Sequence, residues 1–336
     1  MRLPQRDEQV EKLLSVAALT IALELVLFKF LPDISTAAIQ HGTSRLTDFA
    51  AFERAYLTPG SVHHARFLGN YTLYYLAEAL GHVAHSADPR LHPLRLAAAI
   101  LTPVYAYLGA HLVLAKRGPL DWREFFVPYA FAVLIGQYVF YPGDMPALAC
   151  LSAALYLLLS ERLLPALLLM LLTGLFRESA FHMVWLVAAW ALCDRSVPMI
   201  RRLAWSGTFA LSFLLEYDLI RHIFMAPVSA AGTIIVDPRV LFLDKGMLSL
   251  TTICSLALAA LFPLGCALRV RSLPRDDWHR AFFLLNCWVF PGWIVFYRMM
   301  SGNIAEFRML LPVVLPCIYG IAYARRPTAV IAPAAR

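Results

Sequence analysis

Long apolar runs recur from one end of the chain to the other, and they constrain the fold more than any other feature. Several approach 20 residues, the length of helix that crosses about 30 Å of hydrocarbon. Only 15% of the 336 residues are charged, whereas soluble domains carry about 25%. The pattern predicts an all-α, polytopic membrane protein that forms a single integral membrane domain over residues 1–336.

Hydropathy places about ten transmembrane helices along the chain. The charged N-terminus leads into the first apolar run without an Ala-x-Ala cleavage pattern, so we expect a retained first helix. The predicted spans cover residues 12–31, 93–115, 125–141, 145–160, 163–177, 180–193, 203–219, 247–268, 281–299 and 309–324.

Residues 67–84 are ambiguous between an eleventh span and a helix lying at the interface. Asn70, Glu78 and several tyrosines suggest a polar face, opposite apolar residues such as Leu73 and Leu80. That pattern favours an interfacial amphipathic helix. Residues 32–92 then form a long first extracytoplasmic loop, and residues 220–246 form a second, smaller one.

The basic residues orient this arrangement, because cytoplasmic loops carry an excess of Lys and Arg. With both termini in the cytoplasm and 67–84 outside, the main basic clusters face inward. They are Lys116–Arg117, Arg195/Arg201/Arg202, Arg269/Arg271/Arg275/Arg280 and Arg325–Arg326. The expected location is a bacterial cytoplasmic (inner) membrane.

The same orientation gathers the unusual polar groups at the outer side. Charged groups that face lipid at mid-depth cost about 2.5–3.5 kcal/mol each, so we expect these to face a shared aqueous cavity or one another. They are Asp48, Glu53, Arg54, Arg66, Asp144, Arg177, Glu178, Glu306 and Arg308.

Simpler structural roles remain open for these residues. Asp144 follows Pro142 and Gly143 and is also suited to capping the helix that it opens. Arg177 with Glu178, or Glu306 with Arg308, also fit ion pairs that hold helix ends together. Asp48 also fits a solvated carboxylate in the first outer loop.

Motifs for cofactor chemistry are missing from the sequence. It has no Walker loop, dinucleotide fingerprint, His-Glu-x-x-His or Gly-x-Ser-x-Gly, so we expect no nucleotide-driven reaction. The histidines are not spaced as a metal site. The six cysteines lie in apolar segments without Cys-x-x-Cys spacing, and we expect them to be lipid-facing or packed small hydrophobes rather than metal or redox groups.

Two stretches resemble the GT-C class of membrane glycosyltransferases. The run RFLGNYTLYYLAEALG followed by RLHPLRLAAAILTPVYAYLGAHLV is similar to the loop helix and second span of that class. The run YPGDMPALACLSAALYLLL resembles their segment in which an Asp opens a span. The resemblance covers roughly residues 10 to 180 and is one of pattern and topology.

The resemblance implies transfer of a sugar from a polyprenyl-phosphate carrier to an extracytoplasmic acceptor, with inversion at the anomeric carbon. It implies that Asp48 is the base and that Arg66, Arg177 and Arg308 hold the donor phosphate. The residues that orient these groups or bind the acceptor would be Glu53, Arg54, Asp144, Glu178 and Glu306. The expected partners are the lipid-linked sugar, the bilayer and a lipid, glycan or protein acceptor, with no nucleic acid.

The chain departs from the family pattern at two points. Phe67-Leu68-Gly69 stands where many members have Pro-Pro-Leu, and Asp48 is followed by Glu53 in place of a paired Asp-Asp or Asp-Glu. No protein metal site is predicted, although a divalent cation, Mg²⁺ or Mn²⁺, stays open because some members of the class use one.

Three other functions fit parts of the same pattern. A polysaccharide polymerase or ligase also acts outside on polyprenyl-linked sugars, but typically has its large outer loop late in the chain. A transporter or flippase commonly shows internal repeats, and no convincing repeat relates the halves here. A structural envelope subunit would use the charges only as helix-end pairs.

Overall fold

The computed structural model describes residues 3–26, 49–58, 66–82, 91–115, 120–136, 141–224, 250–301 and 307–325. These residues form α-helices with short turns and contain no β-strand. The all-α prediction is therefore confirmed over the described ranges.

Ten of the helices coincide with the ten predicted spans. They are α1 (Leu3–Leu25), α4 (Pro93–Ala115), α5 (Trp122–Gly136), α6 (Asp144–Leu159), α7 (Leu163–Phe176), α8 (Phe181–Cys193), α9 (Met199–Phe224), α10 (Leu250–Val270), α11 (Trp278–Ser301) and α12 (Leu311–Ala324). Two shorter helices lie between α1 and α4: α2 (Phe49–Phe52), which continues as a π-helical turn Glu53–Leu57, and α3 (Phe67–Gly81).

Two described helices are long and apolar enough to cross a membrane, α4 and residues Thr252–Val270 of α10. Four further apolar segments have only 10 to 17 residues: α6, α7, α12 and the segment Glu178–Cys193, which contains α8. A 14-residue helix such as α7 or α12 is about 21 Å long, less than the hydrocarbon thickness.

The interior of the bundle is built mainly from α6, α7, α8 and α12. Nearly every residue of α6 and α12 is at least partly buried, because neighbouring helices cover them on several sides. The outward faces of other helices remain apolar: five large aliphatic residues of α9 are 59% to 62% exposed. These residues are Leu211, Leu214, Leu215, Leu219 and Ile223.

A second, smaller hydrophobic cluster joins the predicted first outer loop to the start of α4. Phe52 and Tyr56 pack with Leu73 of α3 and with Leu94 and Ala97 of α4. This contact lays α3 along α4. At 15 residues, α3 is about 22 Å long.

The structure corrects one detail of the sequence-based prediction and extends two of the predicted helical segments. Asn70 lies on the buried face of α3, 1% exposed, and its amide donates to the Tyr56 carbonyl at 3.1 Å, so it is not part of a polar face. The first helix begins at Leu3, well before residue 12. Helix α9 continues to Phe224, five residues beyond the predicted span 203–219.

Candidate functional site

Asp144 lies between two arginine side chains at the end of the helix bundle where α6 begins. Arg177 Nη1 donates to Asp144 Oδ1 at 2.7 Å, and Arg308 Nη1 donates to Asp144 Oδ2 at 2.7 Å. The three side chains are only 5% to 7% exposed. Each carboxylate oxygen therefore has its own guanidinium partner in a site that water scarcely reaches.

Helix ends bring these three residues together. Asp144 is the first residue of α6, and Arg177 follows the last residue of α7 in extended backbone, with φ −167° and ψ 148°. Arg308 lies in the 3₁₀ turn Phe307–Met309, which leads into α12. The start of α6, the turn after α7 and the turn before α12 thus meet at one point. Side chains from separate parts of the sequence can converge there.

Arg308 is held from a second direction by an aromatic ring. Its guanidinium carbon lies 3.8 Å from the centre of the Tyr141 ring, which is a cation–π contact. Tyr141 stands three residues before Asp144, so the stretch YPGD supplies both the carboxylate and the ring that position Arg308.

A second ion pair borders the first on a more open side. Arg66, which directly precedes α3, reaches Glu178 with an Nε to Oε2 distance of 3.2 Å. The Arg66 side chain is 17% exposed and that of Glu178 is 38% exposed. Since Glu178 follows Arg177 in sequence, this pair connects α3 to the same chain reversal that carries Arg177.

Glycines allow three backbone segments to approach closely beneath the charges. A Cβ on Gly69 of α3 would lie 2.8 Å from the Gly143 Cα atom, and a Cβ on Gly143 would lie 2.3 Å from the Phe176 carbonyl oxygen. Both neighbours are backbone atoms that cannot turn aside. The two glycines therefore let α3, the start of α6 and the end of α7 meet, which sets Arg66, Asp144 and Arg177 side by side.

Both carboxylates lie outside the predicted spans, and both have depressed pKa values. Burial by itself would raise the pKa of Asp144, but the charges of Arg177, Arg308 and Arg66 outweigh it and hold that pKa below its usual value. Burial also opposes ionisation of Glu178, and there the charge of Arg66 makes the largest contribution to lowering the pKa. Both groups are therefore ionised at neutral pH.

Five of the nine predicted site residues lie together: Arg66, Asp144, Arg177, Glu178 and Arg308. Glu53 and Arg54 are exposed on the π-helical turn, where the Glu53 carboxylate accepts a hydrogen bond from the Tyr74 hydroxyl. That contact, with burial and negative charge nearby, raises the pKa of Tyr74 to about 12. Asp48 and Glu306 lie outside the described residues.

The ion pairs differ from the pairs that sequence neighbours suggested. Among the described residues, Arg177 forms an ion pair with Asp144, 33 positions away, and Glu178 forms one with Arg66, 112 positions away. The side chain of Asp144 makes no capping hydrogen bond at the start of α6, although its charge in the first turn suits the helix dipole. Sequence analysis also did not identify Tyr141 as a site residue. Its position in YPGD, three residues before Asp144, could have indicated that it lies near this carboxylate.

A small apolar cavity adjoins this cluster at the residues on either side of Asp144. It lies between α3, α4 and the start of α6. Its lining residues are Leu73, Leu101, Thr102, Tyr105, Pro142 and Met145.

Together the five side chains carry three positive and two negative charges, which leaves one net positive charge in a largely buried setting. Guanidinium groups bind phosphate and carboxylate oxygens in a planar, two-pronged geometry. The cluster is therefore suited to an anionic group carrying one charge. Comparisons with family models, with curated proteins and with solved structures give no match to this chain.

Proposed function

We propose that this protein is a membrane glycosyltransferase that moves a sugar from a polyprenyl-phosphate carrier to an acceptor on the extracytoplasmic side. The observation that carries the proposal is the convergence of Arg66, Arg177 and Arg308 on one group of carboxylates. A sugar–phosphate–lipid diester has one negative charge, and that charge matches the single positive charge left over in the cluster.

The apolar surfaces support the membrane part of the proposal. Large aliphatic side chains point outward along α9, as they would toward lipid. We propose that the ten predicted spans, which overlap α1 and α4 to α12, cross a bacterial cytoplasmic membrane, with both termini in the cytoplasm. The end of the bundle that carries Asp144 then faces outward.

The proposed reaction is a single displacement. The acceptor hydroxyl oxygen attacks the anomeric carbon and forms the new bond while Asp48 takes its proton. The bond from that carbon to the phosphate oxygen breaks, and its electron pair leaves with the polyprenyl phosphate. The phosphate gains a second negative charge, which nearby guanidinium groups stabilise. The role of Asp48 depends on the resemblance to the GT-C class.

The described carboxylates of the cluster do not fit a divalent cation. Each oxygen of Asp144 accepts a hydrogen bond from a guanidinium, and Glu178 is paired with Arg66. Mg²⁺ and Mn²⁺ favour several carboxylate or water oxygens free to coordinate. Stabilisation of the departing phosphate is therefore assigned to arginines, and no step is assigned to a metal or a nucleotide.

Sugar transfer by the purified protein in lipid nanodiscs tests the proposal. A small panel of labelled polyprenyl-phosphate sugars serves as donors, with binding of each donor measured alongside transfer. We expect Asp48→Asn to abolish transfer while donor binding persists. Arg308→Lys keeps the charge but loses the two-pronged geometry, and we expect transfer to fall by about 100-fold or more, as on loss of one transition-state donor.

Arg325→Lys is the matched control, because Arg325 lies at the opposite end of α12 from Arg308. We expect it to leave transfer unchanged. A folded wild-type protein that transfers from no donor would contradict the proposal. Donor binding without transfer would favour a flippase, and joining of two lipid-linked glycans would favour a polymerase or ligase.

A further inference from the structure

Three cysteines from three different helices meet inside the bundle. They are Cys266 of α10, Cys287 of α11 and Cys317 of α12, and their sulfur atoms all lie within 4.8 Å of one another. Cys266 and Cys317 are 0% exposed, whereas Cys287 is half-buried. Half of the six cysteines in the sequence therefore converge on one point, although 51 positions separate the first from the last.

A glycine makes room for this sulfur cluster. A Cβ on Gly320 of α12 would lie 2.4 Å from Cys266 Sγ and 3.0 Å from the Phe283 ring. Gly320 stands one helical turn after Cys317, on the same face of α12. The close approach of α10 to α12 at this glycine brings the sulfur of Cys266 next to that of Cys317.

We propose that Cys266, Cys287 and Cys317 form a binding site for a soft monovalent metal ion of the Cu(I) type. Soft thiolate sulfur selects soft metals such as Cu(I). Among the described residues, the group consists of sulfur ligands alone, with no histidine or carboxylate in it. This inference is independent of the proposed glycosyltransferase activity.

Coordination number favours Cu(I) over zinc. Structural zinc almost always takes four protein ligands in tetrahedral geometry. The described residues supply three ligands at this position, which suits three-coordinate Cu(I).

Binding needs no electron transfer. Each cysteine that binds loses its thiol proton to solvent as its sulfur–copper bond forms, and the copper remains Cu(I) throughout. An ion bound by all three cysteines therefore releases three protons. Cys287 is the only partly exposed member of the trio, so it is the ligand that an incoming ion meets first.

The test is an anaerobic titration of the reduced, purified full chain with Cu(I) in the presence of a chromophoric Cu(I) chelator. We expect one Cu(I) per chain to be retained against the chelator, with three sulfur neighbours by X-ray absorption spectroscopy. Cys266→Ala, Cys287→Ala and Cys317→Ala should each weaken binding by more than about 100-fold, beyond the 10- to 100-fold that loss of a supporting residue costs.

The remaining cysteines supply a matched control. A combined Cys150→Ala, Cys193→Ala and Cys254→Ala variant removes the same number of thiols and should bind one Cu(I) as tightly as wild type. Equal loss in this control would overturn the proposal, as would wild-type protein that yields all copper to the chelator. X-ray absorption is measured on the wild-type protein, so its result does not depend on whether the variants fold. A spectrum with only two sulfur neighbours would also overturn the proposal.

Discussion

Two carboxylates in this protein each lie between two arginines, at opposite ends of α12. Asp144 pairs with Arg177 and Arg308, and Glu124 of α5 pairs with Arg269 and Arg325. The first group is 5% to 7% exposed with both contacts at 2.7 Å. The second is 27% to 50% exposed, with contacts of 4.0 and 3.1 Å. The same charges therefore form a fixed, buried cluster at one end and a loose, solvated one at the other.

Burial decides what each group contributes. An exposed ion pair gains little, because water and salt screen it and its side chains lose freedom. A buried group costs more to form, but removal of one partner leaves unpaired charge in a medium that solvates it poorly. We therefore expect the side chains of the Asp144 cluster to keep fixed positions, which suits ligand binding. We expect the Glu124 cluster to contribute mainly to the orientation of the protein in the membrane and to its surface charge.

The largest expected difference comes from neutralising each carboxylate. Asp144→Asn leaves two buried guanidinium groups without their anion and should lower the free energy of unfolding by about 3–5 kcal/mol. Glu124→Gln should lower it by no more than about 1 kcal/mol. Reversible denaturation in mixed micelles measures both changes in the free energy of unfolding. Equal losses would show that burial does not distinguish the two clusters.

A smaller effect should follow from filling the close backbone contact beneath the Asp144 cluster. Gly143→Ala places a methyl group 2.3 Å from the Phe176 carbonyl oxygen, and such overpacking costs about 1–3 kcal/mol. The control is Gly207→Ala in α9, where nothing lies within 4 Å of the added Cβ. Alanine there should raise stability by up to about 1 kcal/mol through helix propensity. Unchanged stability of Gly143→Ala would show that this contact does not limit how closely the two backbone segments pack.

Acid should act on the buried cluster in a defined pH window. The folded-state pKa of Asp144 is depressed below its ordinary value of 3.8, so its stabilisation is complete above that value and is lost as the pH falls through the folded pKa. Glu178, whose pKa is also depressed, acts in the same direction. Unfolding free energies between pH 7 and pH 2 should show a steeper acid loss for wild type than for Asp144→Asn, and parallel curves would contradict this assignment.

The smallest expected effect is that of salt. Raising the ionic strength from 0.1 to 1 M shortens the Debye length from about 10 to about 3 Å. The stability difference caused by Glu124→Gln, less than about 1 kcal/mol, should disappear over this range. The difference caused by Asp144→Asn should persist, because salt screens buried charges less. A fully salt-sensitive Asp144 effect would show that water enters the cluster.

The helix positions were predictable because they depend on local composition. Each of the ten predicted apolar spans overlaps a helix, although several limits differ, most of all at the first span, at α5 and at α9. The presence of unusual charges near helix ends was also visible from the sequence, since Asp144, Arg177 and Arg308 each stand beside an apolar run.

The partners of those charges were not predictable. Neighbouring residues such as Arg177 and Glu178 suggested local ion pairs, but among the described residues each forms an ion pair with a residue far away in the sequence. Asn70 suggested a polar face, yet it lies in the interior, where its side-chain amide donates a hydrogen bond to the Tyr56 carbonyl. The convergence of Cys266, Cys287 and Cys317 leaves no trace in their spacing, because spacing describes one helix and these residues come from three.

Local sequence is enough to define which segments form helices and which of them carry apolar surface, because backbone hydrogen bonding and side-chain hydropathy act over a few neighbouring residues. Long-range packing, in contrast, defines which helix ends meet, which carboxylate is buried between arginines and which is left in water. Those outcomes depend on close contacts such as that of Gly143 with Phe176, and such contacts are set by packing between distant parts of the chain.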